Sequence, residues 1–130
     1  MSHFVKIRTQ IREREHLVAA LRDLHYQFQV GENLVVRGFA DGTERAEVVV
    51  NTGSKYDIGF RRTADQYEVV ADWWLEHSTP IRQQTFLQDL SQRYAYNVTM
   101  AQAVKQDDLI FESEQTLENG DVVLLFSERG

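Results

Sequence analysis

The chain has no cysteine. Disulfides, thiolate metal sites, iron–sulfur ligation and cysteine nucleophiles are therefore all excluded. A cysteine-free chain also suits a reducing, cytosol-like compartment. Proline occurs once, at Pro80, and the glycines are dispersed, so no glycine-rich phosphate cradle exists. The dinucleotide fingerprint, the P-loop, the nucleophile elbow and the EF-hand loop are all missing. No apolar run approaches the roughly 18 residues of a membrane span. The first residues lack the basic-then-apolar order of a signal peptide. Positive charge is in deficit too: the formal net charge is −6. Nucleic-acid binders normally present a basic face, so a phosphate-backbone partner is disfavoured.

What is present describes one ordinary globular domain over residues 1–130. The apolar fraction of 42% and charged fraction of 26% argue against global disorder. A chain of this size buries roughly two thirds of its extended surface on folding, enough for a core without staples.

Residues 47–74 organise the rest and read as three consecutive strands, 47–52, 55–63 and 66–74. The middle strand alternates Tyr56, Ile58 and Phe60 against Asp57, Gly59 and Arg61. The last sets Tyr67, Val69, Ala71 and Trp73 against Glu68, Val70, Asp72 and Trp74. Strict period-two alternation marks half-buried strands.

Before this block, residues 3–8 read as a first strand and 11–24 as a helix, with Leu17, Ala20, Leu21 and Leu24 on one stripe. Residues 26–30 and 34–39 read as two short strands joined by a turn at Gly31, Glu32 and Asn33, and 38–47 as a mobile loop. After it, Thr79 and Pro80 suit the cap and first position of a second helix. Its stripe is Phe86, Leu87, Leu90 and Tyr94; it ends either near Tyr96 or near Lys105, and Asn97, Ala101 and Val104, which continue the stripe, favour the longer helix with a kink near Asn97. Asn119-Gly120 between two alternating runs signals a closing hairpin of 109–116 and 122–127. The class is α+β: a mostly antiparallel sheet with two helices packed on one face, in the order β-α-β-β-β-β-β-α-β-β.

The candidates for chemistry lie on the second face of the middle strands. If register brings Asp57, Arg61, Glu68 and Asp72 together, they could act as a carboxylate/arginine site, since neighbouring carboxylates separate each other's pKa values. The competing reading is an exposed ladder of ion pairs, which the sequence favours. Gly59 inside a strand marks close approach by another group, either Trp73 or a partner. Trp74, with Val70 beside it, would make a hot spot for association if uncovered. His3, His16, His25 and His77 are scattered, so neither a metal nor a cofactor is expected; His3 and His77 are the nearest to metal candidates, and His16 reads as solvated.

The ordered set Ser2-His3-Phe4-Val5-Lys6-Ile7-Arg8-Thr9-Gln10-Ile11, Val36-Arg37-Gly38, Tyr56-Asp57-Ile58-Gly59-Phe60, Tyr67-Glu68-Val69-Val70-Ala71-Asp72 and Gln92-Arg93-Tyr94-Ala95-Tyr96 closely resembles one family. It is the hypothetical chloroplast reading frame 35 family, domain of unknown function 1257, found in cyanobacteria, algal plastid genomes and other bacteria. The family tends to carry a glycine near Asp107 and Asp108 and an acidic-glycine turn where this chain has Asn119-Gly120. The resemblance brings no residue-level activity. It implies a soluble cytoplasmic protein (stromal in algal relatives) and, from relatives encoded near AAA-type ATPases, an accessory role.

The preferred expectation is thus a non-enzymatic adaptor that binds a protein partner or itself through the sheet face or the hairpin edge. The alternatives are a small enzyme on Asp57, Arg61, Glu68 and Asp72, and single-strand nucleic-acid binding through tyrosines with Arg8, Arg37, Arg61 and Arg62.

Overall fold

The computed structural model describes residues 4–73, 81–105 and 109–128. The elements are β1 (Phe4–Arg8), α1 (Arg14–Asp23), β2 (Gln27–Arg37), a single 3-10 turn (Phe39–Asp41), β3 (Thr43–Asn51), β4 (Asp57–Thr63), β5 (Gln66–Asp72), α2 (Gln83–Val104), β6 (Leu109–Thr116) and β7 (Val122–Glu128). Strands β1–β5 form one antiparallel sheet in the order β1-β5-β4-β3-β2, and β6 and β7 pair separately. The α+β class and the general order are as expected.

The alternation in β4 and β5 sorts the faces. Ile58, Phe60, Tyr67, Val69 and Ala71 join Leu17, Ala20, Leu21, Phe86 and Leu90 in the main core, so both helices cover one side of the sheet. Burying each of the leucine, isoleucine, valine and phenylalanine side chains among them stabilises by about 1.5–3 kcal/mol. Phe86 anchors α2 between rings, 5.1 Å from Tyr26 edge-to-face and 6.3 Å from Phe60.

Where boundaries moved, burial or backbone pairing moved them. The first helix begins at Arg14 rather than Ile11. Tyr67 N–H donates to the Ile11 carbonyl at 2.8 Å, holding that residue extended against β5, and the Ile11 side chain is buried. The second helix begins at Gln83, with Arg82 as an extended cap; the expected cap at Thr79 and Pro80 lies outside the described residues. Ile81, just before the helix, packs on the core. The helix then runs unbroken to Val104.

The segments on either side of Gly31, Glu32 and Asn33 are halves of one strand, β2, and not two strands joined by a turn. The register jumps from Val30↔Val48 to Leu34↔Ala46, a bulge helped by Asn33 at φ 60°. Bulges bend a strand and increase its twist. The second half of β2 consequently curls over the face of the sheet opposite the helices, where Val36, Ala46 and Val49 form a second small core with Phe4 and Leu34.

The stretch after β2 is not a mobile loop. Gly38 N–H donates to the Gly42 carbonyl at 2.8 Å, Phe39 N–H donates to Asp72 Oδ2 at 3.0 Å, and β3 is already paired at Thr43. Gly38 itself is required: a Cβ there would lie 2.6 Å from Phe4 Cζ and 3.2 Å from Asp72 Cβ.

The hairpin turn is Glu118, Asn119 and Gly120, closed by Leu117 N–H to the Asp121 carbonyl at 2.7 Å, with Gly120 at φ 92°. This is the three-residue class of turn, with glycine supplying the left-handed position.

Helix α1 ends with two reverse hydrogen bonds, His25 N–H to Arg22 O and Tyr26 N–H to Leu21 O, both 3.0 Å, with His25 at φ 65°. Such ends normally take glycine, and His25 is exposed. His25→Gly is expected to raise stability by about 0.5–1 kcal/mol through relief of this strain. Chemical denaturation would show it as a higher midpoint at unchanged slope.

Candidate functional site

The four residues proposed for sheet chemistry do not form one site. Register places Arg61 directly opposite Glu68. Arg61 Nη2 and Nε donate to Glu68 Oε1 at 2.7 and 3.0 Å, and Nη1 donates to Glu44 Oε2 at 3.3 Å. These three side chains tie β3, β4 and β5 together. The Glu68 hydrogen bond raises the Arg61 pKa above its ordinary value.

Asp57 engages a different arginine. Arg37 Nε and Nη2 donate to Asp57 Oδ2 and Oδ1 at 2.8 and 2.9 Å, and Arg37 N–H donates to Oδ2 at 3.0 Å. The carboxylate is 7% exposed and the guanidinium half exposed. Its hydrogen bond to Asp57 raises the Arg37 pKa. The pair pins the end of curled β2 to the start of β4.

Asp72 is fully buried and accepts the Phe39 N–H already described. The reading as an exposed ion-pair ladder therefore needs correction: Asp57 and Asp72 are internal, because curled β2 and the turn after it cover that face. The reading as a shared acid/base site also fails geometrically, since each carboxylate holds its own strand or turn.

Gly59 is covered by Val36 and not by Trp73. A Cβ on Gly59 would lie 2.4 Å from Val36 Cγ2 and 3.0 Å from Ala46 Cβ. Val70, paired across from Gly59, is fully buried. Neither residue can serve as a docking surface in this fold, and Trp74 lies outside the described residues. Trp73 is partly buried against the main core, and its buried indole N–H has no hydrogen-bond partner among the described residues.

Two features were missed in the sequence. The first is Tyr94, whose hydroxyl accepts the N–H groups of Arg12 and Glu13 at 3.0 and 3.1 Å, just before α1. Tyr94 carries no spacing signal that sets it apart from a packing residue. Beside it opens a cleft of about 660 Å³ between the link from β1 to α1 and the outer side of α2, lined by Ile7, Ile11, Leu87, Tyr94 and Val98 among others. Tyr94→Phe should cost about 0.5–1.5 kcal/mol, because two backbone donors exchange a fixed acceptor for water. Thermal unfolding checks this, and an unchanged midpoint would contradict it.

The second is His16, expected to be solvated. Its side chain is 16% exposed, 3.0 Å from Glu13 and 6.3 Å centroid to centroid from the Tyr94 ring. With Glu15 these groups come within metal-ligand distance of one another, but both acids are exposed. His3 and His77 lie outside the described residues.

The helices are clipped together by Asp23, which accepts from Arg93 Nε at 2.9 Å and from Asn97 Nδ2 at 3.1 Å. The Arg93 hydrogen bond lowers the Asp23 pKa. A lowered folded pKa contributes stability above the unfolded value near 3.9, and that contribution is lost as pH falls through the folded value. Arg93→Ala should move the Asp23 titration upward in carboxyl-detected NMR. The accompanying loss of stability at pH 7 should be small, about 0.2–1 kcal/mol, since the pair is over a third exposed.

The arrangement is that of a small α+β domain whose charged residues on the second sheet face tie strands together. No helix among the described residues is long and apolar enough to cross a membrane. The chain belongs to the family described as protein of unknown function DUF1257, which matches residues 20–125. It is 36% identical to "Uncharacterized protein ycf35" of Guillardia theta, over 95% of this chain and 94% of that one. The proteins of the same description from Pyropia yezoensis and Cyanophora paradoxa are 31% and 28% identical, covering 93% and 82% of this chain and 91% and 81% of theirs. No solved structure matches the chain.

Proposed function

We propose that this protein is a cytoplasmic accessory domain that works by binding another protein through the β6–β7 hairpin and the end of α2. The observation that carries this reading is the apolar surface there. Val104 is 76% exposed, Leu125 50%, Leu117 40%, and Ile110 and Phe111 39% each. An isolated two-stranded hairpin is marginal in water. This one is fastened to α2 through polar contacts such as Gln92 to the Gly120 carbonyl. Exposed apolar residues on such an element suit a docking surface.

An AAA-type ATPase, the partner class that the family resemblance implies, is the first bait to try. Tagged full-length protein is expected to retain a stoichiometric partner, and Leu117→Asp with Leu125→Asp to release it while circular dichroism stays native. Recovery of neither a partner nor a homo-oligomer would overturn the reading.

The enzyme alternative on Asp57, Arg61, Glu68 and Asp72 draws no support from the geometry, because those groups are engaged between strands. The nucleic-acid alternative loses two of its four arginines in the same way. A third, Arg62, donates to the Arg12 carbonyl at 2.7 Å and lies 5.3 Å from the Tyr67 ring centroid.

A further inference from the structure

Among the described residues there are two sheets, and the strands at their margins, β1 and β2 in the five-stranded sheet and β6 and β7 in the hairpin, are each paired on one side. An open strand edge presents a row of unpaired N–H and C=O groups and is a template for another strand. Proteins blunt such edges with charged side chains, proline, bulges or a covering element. Here β1 carries Lys6 and Arg8, β6 carries a register shift between Phe111 and Ser113, and the charge on the two strands is divided by sign.

Residues 4–12 contain Lys6, Arg8 and Arg12 and no acid. Residues 109–121 contain Glu112, Glu114, Glu118 and Asp121 and no base. Lys6 and Arg8 are exposed and two positions apart, so both lie on one face of β1. Across β5, Arg8 stands opposite Glu68, whose carboxylate is already held by Arg61. Among the described residues neither Lys6 nor Arg8 has an ion-pair partner. On β6, every residue from Ile110 to Thr116 is exposed.

We infer that the acidic edge of β6 in one copy of the chain pairs with the basic edge of β1 in a second copy, and reciprocally, to give a twofold dimer. This rests on the protein-binding reading and names its occupant. Main-chain hydrogen bonds between the added strands supply the contact, as in other strand-addition complexes. The charges supply the choice of partner between these two strands: β1 against β1 sets base on base, β6 against β6 sets acid on acid, and of these three pairings β1 against β6 alone is complementary. Val5, 43% exposed, and Phe111, 39% exposed, sit on the same two strands and provide apolar surface to bury. The reciprocal contact closes the assembly, where a one-way contact would propagate.

The test is sedimentation equilibrium of the full chain with two charge-reversal variants, Lys6→Glu/Arg8→Glu and Glu112→Lys/Glu114→Lys, each checked for native circular dichroism. The expected results are a wild-type dimer that weakens with added salt, and about a tenfold or greater loss of association for each variant alone. The sharpest expectation is restoration on mixing. A chain acidic on both edges and a chain basic on both edges complement each other at both contacts, so an equimolar mixture should dimerise like the wild type. If a reversal variant fails to fold, Lys6→Gln/Arg8→Gln and Glu112→Gln/Glu114→Gln serve, with loss of salt dependence as the readout. A wild-type chain that is monomeric throughout, a dimer indifferent to both variants, or variants that stay apart on mixing would overturn the inference. A monomeric chain that still retains a partner lost on Leu125→Asp would sink this dimer and leave the accessory-domain reading standing.

Discussion

Gly59→Ala is expected to destabilise the protein by about 1–3 kcal/mol, and Gly59→Val by more, without any change at the surface. The cause is the curl of β2. An added methyl would sit 2.4 Å from Val36 Cγ2 and 3.0 Å from Ala46 Cβ, both well inside van der Waals contact. Neither neighbour can retreat easily. Val36 is β-branched and fully buried, and Ala46 has no rotamer to change. The chain must therefore lift the end of β2 away from β4 or shift β3.

The specific check is rescue. Val36→Ala alone should cost about 1–2.5 kcal/mol as a cavity mutation. In the Gly59→Ala/Val36→Ala double variant the two volumes offset, so the combined loss should fall well short of the sum. Urea denaturation of the four chains measures this directly. Strict additivity would show that Val36 does not rest on Gly59.

The second large effect concerns Arg37 and Asp57. Arg37→Met should cost about 3 kcal/mol, because it leaves a buried carboxylate with only a backbone N–H as donor. That figure sits at the low end for broken buried pairs, since the guanidinium is half exposed and the end of β2 can let water in. Asp57→Leu should cost less, because the freed Arg37 can swing into solvent. Making both changes should recover much of the Arg37→Met loss, since no charge is then stranded. Denaturation midpoints at neutral pH check the ranking. Equal losses for the two single variants would show that the pair is energetically a surface pair despite its geometry.

Both predictions come from the face that the alternation of β4 and β5 singled out but could not explain. The sequence places Asp57, Gly59 and Arg61 on one side of a strand and Glu68, Val70 and Asp72 on one side of the next. It contains no comparable signal that Arg37, 20 residues before Asp57, will be the partner, because that contact depends on how far β2 bends. The bend comes from a two-residue offset, where Gly31, Glu32 and Asn33 stand against Glu47 alone, and in sequence these three residues look like an ordinary turn. Tyr94 was hidden for a related reason. Its spacing in α2 predicts a core contact, while the packing of α2 beside α1 delivers its hydroxyl to the backbone before α1.

By itself, then, the sequence determined the elements whose signals are local. These are the stripe of α1, the strict alternation of β4 and β5, the buried stripe of α2 and the glycine turn of the hairpin. Each follows from backbone geometry and burial acting within a dozen residues. Only the tertiary structure decided what covers the second face of the sheet, which arginine holds which carboxylate, and which strand edges remain open. Those depend on twist, register and crossing angle, which sum small local deviations over the whole chain and so cannot be read from any one stretch of it.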